Sequence, residues 1–252
     1  MRNSVELTLA RLAFRQLTGS RRMLWVIALA ALPVLLALLI RADMHPGEDA
    51  AEVVDDIVGL LQVLNVAVLL PLVALVVGTS VFGAEVDDGT ITYVLGKPVA
   101  RWRMVVTRIV VAGLATAAVL VPATLATGMV GFRGLQDHGL TMAFTLAVAA
   151  GSFLYCALFV ALSLSTRRAL VAGLAYVVVW EGALSGAFGG TRALSVRQYT
   201  QSFAQGLGDA PKKVFAAQLD VNTAVIMAVV VAVLTTLYAI RRLQRFEVGE
   251  GV

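Results

Sequence analysis

Two histidines, one cysteine and a charged fraction of only 14% are all that this 252-residue chain has for much of polar chemistry. With Cys156 alone, no disulfide can close within the chain, and the redox compartment is left open. His45 and His138 lie far apart in the chain and neither belongs to a His-Glu-x-x-His pair, so the ligands of an intramembrane metalloprotease are missing. Both fall outside the apolar bands, which removes a membrane-buried Ser-His pair and the axial ligands of a haem. No stretch reads Gly-x-x-x-x-Gly-Lys-Ser/Thr, so nothing here cradles a nucleotide phosphate. The expectation is a chain with no metal and no cofactor of its own, and no enzyme by itself.

What is abundant is apolar surface. Hydrophobic residues make up 59% of the chain, and the mean hydropathy is +0.86. A water-soluble domain carries about 25% charged residues; here too little polar surface remains to cover a core. Bands of about 20 apolar residues recur, each long enough to cross a hydrocarbon layer as a helix. Backbone in lipid must satisfy its own hydrogen bonds, so these bands become helices, and their all-round apolarity excludes the alternating strands of a β-barrel. The fold class is an all-α polytopic membrane protein, one domain over 1–252. Its spans are expected near 23–40, 60–83, 105–130, 140–164, 169–190 and 221–240. The first is not read as a cleaved signal peptide, because no Ala-x-Ala-type site follows it and more spans do.

Basic residues orient the spans. With the N-terminus in the cytoplasm, 14 of the 20 Lys and Arg fall inside and 6 outside, so both termini are expected to be cytoplasmic. The first outer loop agrees: Asp43, Glu48, Asp49, Glu52, Asp55 and Asp56 face a single Arg41. The last outer loop, about 191–220, does not, since it holds Arg192, Arg197, Lys212 and Lys213. There Val196, Tyr199, Phe203 and Leu207 form one helical stripe, consistent either with an amphipathic helix at the outer headgroups or with a partly re-entrant cap over a path. The net charge of +4 records these loops rather than nucleic-acid binding. Arg outnumbers Lys 17 to 3, as in GC-rich bacterial genomes.

Two inner segments are more than turns. At the N-terminus Asn3 stands three residues before Glu6, the spacing of a capping box. Thr8, Arg11, Arg15, Thr18 and Arg22 then make a polar stripe, so 1–22 reads as a basic elbow helix along the inner leaflet, an anchor or a contact for a partner. The second segment is 85–101. Glu85, Asp87 and Asp88 precede Gly89 and a capping Thr90, Ile91, Tyr93 and Leu95 fill a short helix, and Gly96 and Pro98 stop it before Arg101. It serves either to reverse the chain or to dock a soluble partner.

The run Glu85-x-x-x-Gly89-Thr90-Ile91-x-x-x-Leu95-x-x-Pro98-Val99-x-Arg101 resembles the corresponding stretch of ABC-2-type permeases, the membrane subunits of a class of ABC exporters. Ala100 departs from the Ser usual there, and Gly96-Lys97 from the Ser or Arg that often precedes the Pro. The elbow, the six spans and the long loop before the last span are similar to that family over nearly the whole chain, as are Gly173-Leu174-Ala175-Tyr176 and Trp180-Glu181-Gly182. The resemblance implies separate cytoplasmic ATPase subunits that hold ATP and Mg and grip 85–101 as a coupling helix. It also implies a second permease chain, the same or similar, and a place in a bacterial cytoplasmic membrane. A stand-alone secondary transporter would show more intramembrane charges or inverted repeats; a non-transporting membrane subunit regulated by an ATPase partner is not separated from an exporter.

Glu181 is the one ionisable residue deep in an expected span, at a cost of about 2–3 kcal/mol if charged and unpaired. It is either a contact or gate for a substrate or a carboxyl that ties the fifth span to a neighbour, with Asn65 and Gln62 as candidate partners. Gly182, Gly186 and Gly190 follow at four-residue spacing, which suits close helix packing or a bendable outer gate. Pro33, Pro71 and Pro122 interrupt three other spans.

Overall fold

The computed structural model describes residues 21–43, 50–87, 100–166, 168–185 and 190–245, with the backbone alone at 21–24 and 82–87. The described residues form helices joined by turns, with no strand among them. In chain order they are α1 (Arg21–Asp43), α2 (Ala50–Gly59), a π-helical stretch π1 (Leu60–Leu69) and α3 (Leu70–Asp87). Then come α4 (Arg101–Gly131), α5 (Leu140–Ser163), α6 (Ala169–Ala175) and a second π-helical stretch π2 (Tyr176–Leu184). A 3₁₀ turn at Thr191–Leu194, α7 (Val196–Leu207) and α8 (Val221–Arg245) complete the chain. Five helical segments are long and apolar enough to cross a membrane, and Ala169–Leu184 is a shorter apolar one.

The ends of the expected bands shift in informative ways. The band at 60–83 belongs to a continuous helix from Ala50 to Asp87, so Glu52, Asp55 and Asp56 ride on helix rather than loop. Its π1 stretch ends at Leu69, two residues before Pro71, which lies in the first turn of α3. Proline lacks an N–H and its ring crowds the carbonyl one turn back; a local change to i→i+5 bonding relieves both without exposing backbone to lipid. In the fifth band helix is described through Ser185, and the described chain resumes at Gly190.

α5 is the hub. Leu140, Phe144, Ala147, Val148, Tyr155, Phe159 and Val160 are all buried on it, against α3, α4, α7 and α8. Its Thr145 and Ser152 hydroxyls fold back on their own helix, to Thr141 O (2.6 Å) and Val148 O (2.8 Å), so these two add no orphan donors to the interior. Gly151 lets another element come close: a Cβ there would stand 2.7 Å from Thr200 Oγ1 and 2.8 Å from Leu70 Cδ2.

Polar ties fix which ends share a side. Arg41 donates to the Arg133 carbonyl (2.7 Å), joining the far ends of α1 and α4. At the opposite end Arg108 donates to the carbonyl of Val81, Arg242 to that of Leu164 (3.3 Å), and Ser165 to the Tyr238 hydroxyl (3.1 Å). A small separate core of Met104, Val105, Ile109, Val160, Leu164, Ala239 and Leu243 closes that end. Arg21 at the start of α1 and Arg245 at the end of α8 therefore lie at the same end of the bundle. The outward faces of α1 and α8 are apolar, with Trp25, Leu35, Leu39, Ile226, Val229 and Leu234 exposed, far more than water would tolerate.

Candidate functional site

The polar centre of the bundle forms where π2 meets the start of α7. Glu181 is 1% exposed. Burying a carboxyl this deeply is tolerable only if its oxygens are met by donors. Three converge on it. The Tyr176 hydroxyl donates to Oε1 (3.0 Å), the Val196 backbone N–H donates to the same oxygen (3.0 Å), and the Ser195 hydroxyl donates to Oε2. The i→i+5 turns of π2 make the first of these possible, because they stack Tyr176 and Glu181, five residues apart, on one face.

Ser195 does two jobs. It is the N-cap of α7, its oxygen accepting from Gln198 N (3.2 Å) while its proton goes to Glu181. Glu181 thus sits at the N-terminus of α7, where the helix dipole and a free N–H favour an acidic group. The Ser185 hydroxyl donates to the Glu181 carbonyl (2.8 Å), Arg197 donates to Ser185 Oγ (3.3 Å), and Thr191 donates to the Leu184 carbonyl (2.8 Å). Trp180 Nε1 and the Tyr199 hydroxyl hold the 3₁₀ turn through the carbonyls of Leu194 and Ala193. The turn is thereby folded back against the end of π2.

From this anchor α7 runs along the first half of α5. Thr200 lies against Gly151, Gly208 against Ala143 and Leu140, and Asp209 N–H donates to the His138 carbonyl (3.0 Å). Gln198, Thr200 and Ser202 are buried along with Val196, Tyr199 and Ala204. A helix lying on headgroups would turn those polar residues to water. This one turns them toward α5 and α8, against which it packs.

Other expectations for this region change. Glu181 takes no hydrogen bond from Asn65 or Gln62. Asn65 is 3% exposed inside π1 with neither side-chain amide atom hydrogen-bonded. The Tyr155 hydroxyl and Gln198 Oε1 are also buried without a hydrogen bond. Gly182 is exposed, its would-be Cβ near only Val177 O (3.6 Å), and Gly190 has nothing within 4 Å, so neither packs a helix of this chain. Gly186 lies outside the described residues. Tyr176 and Ser195 were not singled out from sequence as partners of Glu181. The signal available was Ser195 followed three residues later by Gln198, a capping-box spacing that marks a helix start.

The second candidate region is the connection between α3 and α4. Glu85 and Asp87 fall in the last turn of α3, and Arg101 opens α4 after an extended Ala100. Asp88, Gly89, Thr90, Ile91, Tyr93, Leu95 and Pro98 lie outside the described residues, as do Arg11 and Arg15 of the elbow; Arg22 is in the first turn of α1. The Arg108–Val81 bond draws together the two helix ends from which this connection springs. Arg103 stacks on Trp102, 5.2 Å from the ring centre, at the same end. Among the described residues no cluster of His, Cys, Asp or Glu is arranged to hold a metal.

No curated protein matches the chain by sequence. A family model described as ABC-2 family transporter protein matches residues 20–182, from the start of α1 through Glu181 in π2. With a multi-pass bundle of apolar helices and that match over well over half its length, the chain belongs to the ABC-2 family of transporter membrane proteins.

Proposed function

We propose that this chain is the permease subunit of an ATP-driven exporter, working with separate ATPase subunits that carry ATP and Mg. The single observation that carries the reading is the family match over 20–182 in a chain with no nucleotide loop of its own. In this reading the chain is no enzyme by itself. It crosses a bacterial cytoplasmic membrane six times, the fifth crossing being started by α6 and π2 and completed by α7. The end that holds Arg101, Arg103, Arg108, Arg241, Arg242 and Arg245 faces the cytoplasm, while Glu52, Asp55, Asp56 and Asp137 mark the outside. The 85–101 connection is the element the ATPase grips, with the elbow beside it. A second permease chain supplies the other half of the path, and ATP-driven closure of the ATPase pair shifts the two chains against each other.

The test is purification of the tagged chain from its native membranes in mild detergent, with mass spectrometry of its companions. A co-purifying protein with a phosphate-binding loop, lost when 85–101 is altered, is the expected result. Recovery of the chain alone, under conditions that keep a reference ABC complex whole, would overturn the ATPase partnership and favour a transporter acting alone.

A further inference from the structure

The two arginines beside the Glu181 anchor are not accounted for by anything above. Between Asp137 and Asp209 the only acid is Glu181, and its oxygens are taken by Tyr176, Ser195 and Val196 N–H. Arg192, in the 3₁₀ turn, and Arg197, in the first turn of α7, lie on either side of the N-cap Ser195. Both are tethered to the same spot, the end of π2: Thr191 bonds to the Leu184 carbonyl, and Arg197 to Ser185 Oγ. Each has its Nε buried without a hydrogen-bond partner, and among the described residues neither pairs with an acid.

Two guanidiniums beside one carboxyl leave a local excess of positive charge at a helix N-terminus, and both arginine side chains are partly buried. Such charge is costly unless an anion meets it. Arg forks suit the oxygens of phosphate or carboxylate, and a helix N-terminus adds to the same preference. The exposed side of π2 is apolar, with Val178 60% and Val179 53% exposed, and Leu194, two residues from Arg192, is 49% exposed. We infer that Arg192 and Arg197 form a binding site for the anionic headgroup of an amphiphile, whose apolar chain lies along Val178, Val179 and Gly182. Both arginines lie beyond the stretch that matches the family, and the inference does not depend on an ATPase partner.

Trp180, held by its Nε1 to the Leu194 carbonyl at 3.2 Å, is a built-in reporter. The full-length chain, with Trp25 and Trp102 replaced by Phe so that Trp180 alone emits, is purified in neutral maltoside. It is then titrated with phosphatidylglycerol or phosphatidylcholine carrying brominated acyl chains, which quench a nearby indole. Phosphatidylglycerol is expected to bind tighter, with about fivefold lost per arginine on R192Q or R197Q, the effect of one basic residue near an anionic lipid surface. Equal quenching by the two lipids, or a preference unchanged in both variants, overturns the site; the wild-type comparison stands even if a variant fails to fold. Inorganic phosphate as competitor separates sources. Relief of quenching by phosphate alone shows that the free anion suffices and overturns the amphiphile; no relief, with brominated fatty acid quenching comparably, supports an oxyanion site that needs the chain.

Discussion

A carboxyl inside a membrane protein can be a tool or a fastener, and the contacts of Glu181 favour the fastener. All three of its donors come from the segment it must hold or from its own helix, and two of them sit at the start of α7. Hydrogen bonds to such a group contribute about 1.5–3 kcal/mol each where the group is charged, and losing them leaves the donors orphaned. Glu181→Leu is therefore expected to lower stability by roughly 3 kcal/mol or more, read as thermal unfolding in detergent, while Glu181→Gln, which keeps one acceptor, costs about 1. A leucine variant as stable as the parent would deny the anchor. Asn65 is the opposite case: it is buried with both amide atoms unpaired, so replacing it removes a desolvation cost rather than a bond. Asn65→Leu should leave the melting temperature unchanged or raise it; a clear fall would mean that the amide has a partner, such as a buried water.

At the scale of elements, two stretches of π-helix and the packing of α7 on α5 give the bundle its particular shape. π1 is explained by Pro71; π2 contains no proline, and its i→i+5 turns bring Tyr176 over Glu181. The seat of α7 on α5 depends on Gly151, where a larger side chain meets Thr200 and Leu70. Gly151→Leu should overpack that seat and cost about 1–3 kcal/mol, with faster proteolysis in 196–220. Gly190→Ala is the control: its φ of −72° suits any residue and nothing stands within 4 Å, so no change is expected. The all-helical class and the approximate place of the long spans were legible because a 30 Å hydrocarbon layer imposes its length on composition. Glu181 was legible as well, being the one acid in an apolar band. The packing of α7 on α5 was not, since it depends on what lies across from its polar face. Ser195 escaped notice as a partner of Glu181 because it is fourteen residues away, beyond the end of π2.

For the whole molecule, the question is how an event at one end reaches the other. Arg21 and Arg245 mark the basic end, and the connection from Asp87 to Arg101 emerges there between α3 and α4. α3 carries Gly78 and Leu75 against Phe159 of α5 and Gly173 of α6, where a Cβ on Gly173 would come within 2.1 Å of Leu75 Cδ1. In the proposed cycle a push on α3 would reach α6 through this contact, and α6 continues through π2 to Glu181 and the start of α7. Packed elements pass on displacement because interiors at close packing do not compress. Breaking the grip at the basic end should then cost coupling and leave the far half standing. Glu85→Ala and Arg101→Ala, assayed in the complex with its co-purified ATPase, are expected to retain folding and basal ATP hydrolysis while losing at least tenfold of the transport-linked part. Arg108→Gln, which removes the tie to Val81 but not the contact surface, should give a smaller loss. Unchanged coupled hydrolysis in both alanine variants would remove 85–101 from the coupling route; loss of coupling with an intact Trp180 response to anionic lipid would show that the two ends of the molecule do separate work.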